Sequence, residues 1–231
     1  ADRNAVPGYS LPAARVVHHR LTVMPLRTSA MRALGGFANV FAIESFMDEL
    51  AQMASCDPLE FRRRHLDDPR ALAVLEAVTS RSTWWSRRED AREGRGQGLG
   101  TEGQGQGLAW ARYKNLGAWC AAIAQVEVTD RVLVRHLELA VDVGLVVDLD
   151  GVINQVEGGA IQATSWVLKE RVRFDRERIT STSWSEYPVL RFSEVPDVEV
   201  ELIQRSEIDP VGALKHNNLH EIIAQRQKGS K

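Results

Sequence analysis

The chain has 231 residues with 29 basic and 31 acidic side chains, which gives a net charge of -2. This near-even balance excludes the strong positive field that attracts nucleic acids and anionic membranes. Hydrophobic residues make up 44% of the chain and charged residues 26%, as in an ordinary globular protein. No run of about 18 uncharged apolar residues predicts a membrane span. We therefore expect a soluble chain with no nucleic-acid partner.

Two cysteines, Cys56 and Cys120, lie far apart and belong to no CxxC motif or Cys/His cluster. This placement favours a reducing compartment and excludes a zinc or iron–sulfur site held by cysteines of this chain. His216 and His220 have helical i, i+4 spacing, but no HExxH sequence surrounds them. We interpret them as part of a surface helix rather than a metal site.

In the first part of the chain, the β-branched residues of Arg15–Val23 predict a strand. A turn follows over residues 25–36, with two glycines at its end and Arg27 and Arg32 within it. Two interpretations stay open for this turn. It is either a structural turn with exposed arginines, or a site where the arginines bind a phosphate or carboxylate.

Three helices are predicted next. The spacing of apolar residues predicts a core helix over Ala38–Ala54, in which we interpret Glu44 as a structural rather than a catalytic acid. The dipeptide Asp57-Pro58 is typical of a helix start, with aspartate as the cap and proline in the first turn, and predicts a helix through Leu66. Asp68-Pro69 repeats this signal and predicts a third helix.

The remaining elements are mainly strands. We predict three portions: a strand with a helical cluster over residues 1–93, a glycine-rich linker over 94–107, and a mixed β/α portion over 108–231. We predict strands over Leu108–Tyr113, Ala118–Val128, Val132–Val141, Val172–Phe174 and Val198–Leu202. Apolar and polar residues alternate in the third and the last of these, and in the third the alternation predicts one buried face, formed by Leu137, Leu139 and Val141. Helices early and strands late favour the α+β class.

One helix of the last portion carries an unusual face, beginning at Asp150, which we predict to cap it. Gln155, Gly158, Gly159 and Gln162 follow i, i+3, i+4 and i+7 spacing, so two amides flank a strip without side chains. Each interior glycine costs about 1 kcal/mol relative to alanine, so a close neighbour should compensate. That neighbour is either another packed element or a bound ligand.

Several segments, taken in order, resemble one family, the molybdopterin-binding subunits of xanthine dehydrogenase and aldehyde oxidase. The large (beta) subunit of isoquinoline 1-oxidoreductase-type enzymes is the most similar type. The resemblance covers roughly residues 4–213. The segments that carry it are residues 32–36 (RALGG), 41–51 (FAIESFMDELA), 57–62 (DPLEFR), 140–144 (AVDVG), 155–159 (QVEGG) and 187–196 (YPVLRFSEVP).

The resemblance implies part of a molybdenum hydroxylase, an oxidoreductase that hydroxylates an N-heteroaromatic or aldehyde carbon with water as the oxygen source. The implied cofactor is molybdenum bound to molybdopterin, in the cytosine dinucleotide form. The implied partner is a small subunit with [2Fe-2S] clusters, which passes electrons to an acceptor that the sequence does not identify. The alternative is a catalytically degenerate binding or scaffold module of the same fold.

Matched to the family's motifs, Arg32 corresponds to the arginine of a turn beside the active site, although Ala33 replaces the motif's first glycine. Gln155 and Gln162, with the two glycines between them, correspond to a helix that lies against the pterin. Lys215 stands where the family has its catalytic glutamate, so we predict no catalytic residue in this chain. We expect a C-terminal fragment or a degenerate copy that retains no molybdenum alone, cytoplasmic or periplasmic depending on a missing N-terminus.

Overall fold

Three helices form a layer in the first half of the molecule. The structure is a computed structural model, and it describes residues 2–81, 103–113 and 117–208. The helices are α1 (Gly36–Met53), α2 (Pro58–Arg64) and α3 (Pro69–Arg81). All three were predicted from the sequence; the predicted ends of α1 and α2 lie within two residues of those observed, and α3 begins where Asp68-Pro69 predicted.

The two Asp-Pro signals start helices as predicted. The Asp57 carboxylate accepts a hydrogen bond of 2.8 Å from the backbone N–H of Glu60, and α2 begins at the following proline. The Asp68 carboxylate accepts from two backbone N–H groups in the first turn of α3. These bonds satisfy donors that a helix start otherwise leaves without partners. Helix α2 ends at Arg64, slightly before the predicted Leu66.

Four strands form one mixed sheet in the order β1-β2-β3-β4. The pairs β1/β2 and β2/β3 are antiparallel, and β4 joins β3 in parallel. Helix α4 (Leu149–Leu168) lies in the long connection between β3 and β4, as a parallel pair requires. The strands are β1 (Gln104–Tyr113), β2 (Ala118–Val128), β3 (Val132–Asp142) and β4 (Asp197–Leu202). The α+β class is confirmed.

The helical layer packs on one face of the sheet. Alternate residues of β2, namely Trp119, Ala121 and Ile123, are buried and belong to one apolar cluster with Leu75 of α3 and Leu59 of α2. The cluster therefore contains residues from both of the larger portions predicted from the sequence.

The C-terminal end of strand β3 is buried on both faces rather than one. The sequence placed Leu137, Leu139 and Val141 on the buried face, yet Ala140 also belongs to the core shared with the helices. Leu137 and Val141 are buried as well. The reason is that α4 contacts β3 and β4, so a second element covers part of this strand.

Two predicted strands are absent as such. Residues 15–23 are irregular and exposed, because β-branched residues there find no neighbouring strand with which to pair. Phe174 makes only an isolated bridge to Ile179, in place of a strand over residues 172–174. The predicted linker over 94–107 lies mostly outside the described residues, and its last residues belong to β1, which begins at Gln104. Among the described residues, no helix has the length and apolar character needed to cross a membrane.

Candidate functional site

Helix α4 carries the predicted site, and its start differs from the prediction. Asp148, not Asp150, is the cap: its carboxylate accepts a 3.0 Å hydrogen bond from the backbone N–H of Gly151. A Cβ at Gly151 would lie 2.5 Å from the Asp148 carboxylate, so glycine leaves the space that this carboxylate needs. Asp150 lies in the first turn, where a negative charge favours the helix dipole.

The face predicted from helical spacing is present and open. Gln155, Gly158 and Gln162 are exposed, and Gly159 is partly covered. A Cβ built at Gly158 would meet no atom within 4 Å, so at this point the helix backbone is accessible from outside. We call the face formed by these four residues the Gln155–Gln162 strip.

Arg32 lies directly on this strip. Its Nη2 donates a 2.7 Å hydrogen bond to the backbone oxygen of Gln155, and its Nη1 lies 3.4 Å from Oε1 of Gln162. The helix already uses one lone pair of that backbone oxygen, and the arginine takes the second. A Cβ at Gly159 would lie 3.2 Å from Nη2 of Arg32, so the absence of a side chain there is what admits the guanidinium.

The contact with Arg32 identifies one close neighbour of the two glycines, which the sequence left undecided between a packed element and a bound ligand. The group that approaches the glycine strip closely is an arginine from a distant turn, not another helix. The five predicted binding residues therefore meet in one place. What Gly158 admits stays a prediction, because its side of the strip is open.

The turn that presents Arg32 has an unusual backbone. Ala33 and Leu34 both lie in the left-handed region, with φ of 68° and 53°. Left-handed residues with a Cβ cost about 1 kcal/mol each, and glycine avoids this cost. Ala33 is the position where the family's motif has glycine. The sequence therefore departs from that motif at a position whose left-handed backbone favours glycine. Arg27, the other arginine of the turn, is exposed.

A buried carboxylate fixes the chain just before α4. Asp142, at the end of β3, accepts hydrogen bonds from Nε of Arg70 at 2.9 Å, Nε of Arg205 at 2.8 Å and the backbone N–H of Gly144 at 3.0 Å. Burial of this carboxyl acts to raise its pKa, but the hydrogen bonds from the two arginines and Gly144 outweigh burial, so the pKa lies below its ordinary value.

The role of Asp142 was not predicted, although the segment 140–144 contributed to the resemblance. The available signal was an aspartate at the end of a buried strand, two residues before a glycine. That glycine, Gly144, has a φ of 76°, so the chain turns sharply here toward α4. Arg70 and Arg205 come from distant parts of the chain, and spacing alone does not indicate them.

The C-terminal end of α4 is also held by side chains. The Ser165 hydroxyl accepts a 3.0 Å hydrogen bond from the backbone N–H of Leu190, and the Tyr187 hydroxyl donates to Glu170 at 2.7 Å. The segment 187–196, which carried part of the resemblance, is thereby attached to α4. With both ends fixed, the helix presents the strip in a defined position.

Glu44 has a structural role, as predicted from the sequence. Its buried carboxylate accepts hydrogen bonds from the Tyr9 hydroxyl at 2.7 Å, from Nε of Arg62 at 3.0 Å and from the backbone N–H of Trp110 at 3.0 Å. Burial raises the pKa of the Glu44 carboxyl, and Arg62 opposes this increase. These bonds connect α1 to α2, to β1 and to the N-terminal segment.

Lys215, the residue at the predicted position of the family's glutamate, lies outside the described residues. The described part of the predicted site consists of the strip and Arg32. It offers amide donors and acceptors, an accessible helix backbone and one positive charge, which together suit a flat, polar and negatively charged ligand.

The fold is shared with known oxidoreductases. The solved structures of aldehyde oxidoreductase from Desulfovibrio desulfuricans and from Desulfovibrio gigas each match with a TM-score of 0.57. Both matches cover 80% of this chain and 37% of the solved chain, at 13% and 14% identity. The architecture thus defines an α+β domain of the kind found in these enzymes.

The sequence comparison gives the family. The molybdopterin cofactor-binding domain matches residues 21–196. A nicotinate dehydrogenase subunit from Pseudomonas putida is 37% identical over 221 residues, and the beta subunit of isoquinoline 1-oxidoreductase from Brevundimonas diminuta is 36% identical over 181. The chain belongs to the molybdopterin-binding subunits of the xanthine dehydrogenase family. The matches cover 92% and 77% of this chain but only 18% and 22% of those relatives, so the chain spans about a fifth of their length.

Proposed function

We propose that this chain forms one wall of the cofactor pocket in a molybdenum hydroxylase, and that the Gln155–Gln162 strip with Arg32 is the surface that contacts the molybdopterin. The observation that carries the proposal is the contact between Arg32 and the strip. Arg32 is 123 residues before Gln155 in the chain, yet its Nη2 lies 2.7 Å from that residue's backbone oxygen. Residues assigned to one role by separate motifs therefore share one surface.

The strip and Arg32 have the open space and the polar groups needed to bind one edge of a molybdopterin. At Gly158 a ligand can reach the helix backbone without meeting a side chain, because an added Cβ would have no neighbour within 4 Å. The exposed amides of Gln155 and Gln162 can donate to and accept from a pterin's ring atoms. The Arg32 guanidinium can bind a phosphate of the cofactor, since it keeps N–H donors beyond those used on the helix.

The bound molybdenum cofactor would supply the redox chemistry, namely oxidation of a substrate carbon with oxygen from water. The chain's contribution is to orient the cofactor and to balance its negative charge. We propose an N-heteroaromatic ring as the substrate class, because the two relatives above 35% identity are named for nicotinate and isoquinoline. An aldehyde is the second candidate, supported by a pyrroloquinoline-quinone aldehyde dehydrogenase from Gluconacetobacter polyoxogenes at 26% identity.

Three further features belong to this proposal. The cofactor is the cytosine dinucleotide form, and a small [2Fe-2S] subunit receives the electrons. The 231-residue chain alone holds no molybdenum, because the strip provides only one side of a pocket and a bound ligand needs enclosing contacts. Near-stoichiometric molybdenum in the purified chain would contradict this last point.

The proposal is tested by filling the open part of the strip. In a complete subunit that contains this chain, Gly158→Leu should lower the molybdenum content at least tenfold, because the new side chain occupies the space assigned to the cofactor. Gly107→Leu is the matched control, since a Cβ at Gly107 also meets no atom within 4 Å but lies on β1. Molybdenum is measured by elemental analysis, and folding by circular dichroism. Equal molybdenum in the two folded variants would refute the assignment.

The alternative function is a catalytically degenerate module, and the presence of Lys215 at the expected glutamate position favours it. A lysine is positively charged near neutral pH and cannot accept the proton that a general base must take. The two functions are separated by assaying hydroxylation in the complete subunit with the native lysine and with Lys215→Glu. Activity only after the substitution identifies a degenerate base, whereas equal activity in both places the base elsewhere.

A further inference from the structure

The first turns of helix α1 lack the charged outer face that is usual for a surface helix, whereas its last turns carry the exposed Glu49. Between Phe37 and Met47 only one residue is ionisable, Glu44, and it points into the core. The outward side of the same turns carries Phe41 and Phe46, which are 70% and 57% exposed. A helix that faces water normally carries charged side chains on its outer face.

The neighbouring helix shows the usual arrangement and serves as an internal comparison. In α3, Val74, Leu75 and Val78 are buried, while Glu76 and Ser80 are exposed. The two helices lie in the same layer and differ in what their outer faces carry. The outer face of α1 is therefore a specific feature of that helix rather than a property of the whole layer.

This face is continuous over about two and a half turns. Ala38, Ala42 and Phe46 follow i, i+4 spacing, Phe41 lies beside them, and all four are exposed. The two phenyl rings alone leave on the order of 250 Å² of aromatic surface in water. Aromatic side chains grouped without charges between them are typical of the centre of a protein contact.

The family comparison indicates what covers the face. Helix α1 lies within residues 21–196, which match the molybdopterin cofactor-binding domain, and the P. putida subunit aligns with 92% of this chain. The matched stretch is only 18% of the P. putida nicotinate dehydrogenase subunit, and most of that subunit is other polypeptide. We propose that the outer face of α1, formed by Ala38, Phe41, Ala42 and Phe46, is a docking surface for the part of the same subunit that lies outside these 231 residues.

The chemistry of the partner follows from the face. An uncharged surface of two phenyl rings and two methyl groups requires an apolar partner surface of matching shape, without charges opposite the rings. Family membership and exposure support this assignment, which does not depend on which residues contact the cofactor. A second copy of this chain is the competing occupant.

The test measures whether position 42 is covered. Ala42→Cys is made in a Cys56→Ser background and labelled with a thiol reagent in two proteins. The first is the 231-residue chain, and the second is a chimera in which this chain replaces the matching 221 residues of the P. putida nicotinate dehydrogenase subunit. Ser80→Cys, on the exposed face of α3, is the matched control for reagent reactivity. We expect labelling at position 42, relative to position 80, to be at least tenfold slower in the complete subunit.

A second labelling experiment uses the P. putida subunit without this chain inserted into it. The residue of the unmodified P. putida subunit that aligns with Ala42 is replaced by cysteine and labelled in the native and in the urea-unfolded protein. Protection in the native protein supports the docking surface. Labelling as fast as in the unfolded protein overturns it. Protection already present in the 231-residue chain, together with a dimer in sedimentation velocity, would also overturn it and assign the face to a second copy.

Discussion

The two adjacent glycines of the strip should respond differently to the same small substitution. Gly158→Ala and Gly159→Ala both replace a glycine in a helix interior, which by helix propensity alone gains up to about 1 kcal/mol. At Gly158 the added methyl group meets no atom within 4 Å, so the gain is realised in full. We expect Gly158→Ala to raise the free energy of unfolding by roughly 0.5 to 1 kcal/mol.

At Gly159 the same methyl group displaces Arg32. The added Cβ would lie 3.2 Å from Nη2 and 3.4 Å from Cζ of the guanidinium, so the guanidinium must move away from the helix by a few tenths of an ångström. This movement weakens the hydrogen bond from Arg32 to the Gln155 oxygen, which has a charged donor but, because it is exposed to water, contributes at most about 1 kcal/mol. Loss and gain therefore nearly cancel, and we expect Gly159→Ala to leave the free energy of unfolding almost unchanged.

The assay is urea unfolding of both variants, each also made in an Arg32→Ala background. Without the arginine, Gly159→Ala should stabilise the protein as much as Gly158→Ala does, because its methyl group no longer contacts a guanidinium. This pattern is a coupling between positions 32 and 159 of about 1 kcal/mol, with none between 32 and 158. Equal gains at the two glycines in the presence of Arg32 would refute the contact.

Three other predictions concern the framework around the site. Ala33→Gly should raise the free energy of unfolding by about 1 kcal/mol in urea titrations, because glycine tolerates the left-handed backbone, whereas Ala38→Gly in regular helix should lower it by about as much. Asp142→Asn should cost about 3 kcal/mol at pH 7, because two arginines lose their buried carboxylate. The pKa of Asp142 is lowered in the folded state, so its carboxylate stabilises the fold fully above the unfolded pKa of about 3.9, and this stabilisation is lost as pH falls through the folded pKa. Unfolding titrations from about pH 7 to about pH 3 should therefore show that the difference in unfolding free energy between wild type and Asp142→Asn becomes smaller below about pH 4. Arg62→Met should cost about 3 to 5 kcal/mol by leaving the Glu44 carboxylate buried without a counter-charge, and adding Glu44→Gln should recover part of the loss in a double-mutant cycle.

Local chemistry made much of the fold predictable. An aspartate followed by proline specifies both the cap and the first turn of a helix, so α2 and α3 were located at Asp57 and Asp68. The alternation of apolar residues with glutamates over Val198–Leu202 predicted β4 for an equally local reason, since every second residue of a strand faces the same layer.

The predictions were wrong or incomplete where a feature depends on residues distant in the chain, and where two nearby residues could fill the same role. Residues 15–23 have strand composition, but a strand needs a neighbour to pair with. Asp148 and Asp150 are both plausible caps by type, and the space beside Gly151 decides between them. Asp142 was missed because Arg70 and Arg205 approach it from distant parts of the chain.

The candidate site was predicted as a set of residues but not as an arrangement. Helical spacing placed Gln155, Gly158, Gly159 and Gln162 on one face, and the family's motifs added Arg32. No pattern in the sequence indicated that the arginine itself would lie on Gly159, because this contact joins two segments that are distant in the chain. The strip is consequently half occupied by a side chain of the same chain and half open.

The most direct measurement is the structure of a cofactor-loaded complete subunit that contains this chain. We predict that cofactor atoms lie within hydrogen-bond distance, about 3 Å, of the Gln155 or Gln162 amide and in van der Waals contact with the backbone at Gly158. A cofactor bound elsewhere, with the strip facing water or another stretch of polypeptide, would contradict the proposed role of the strip.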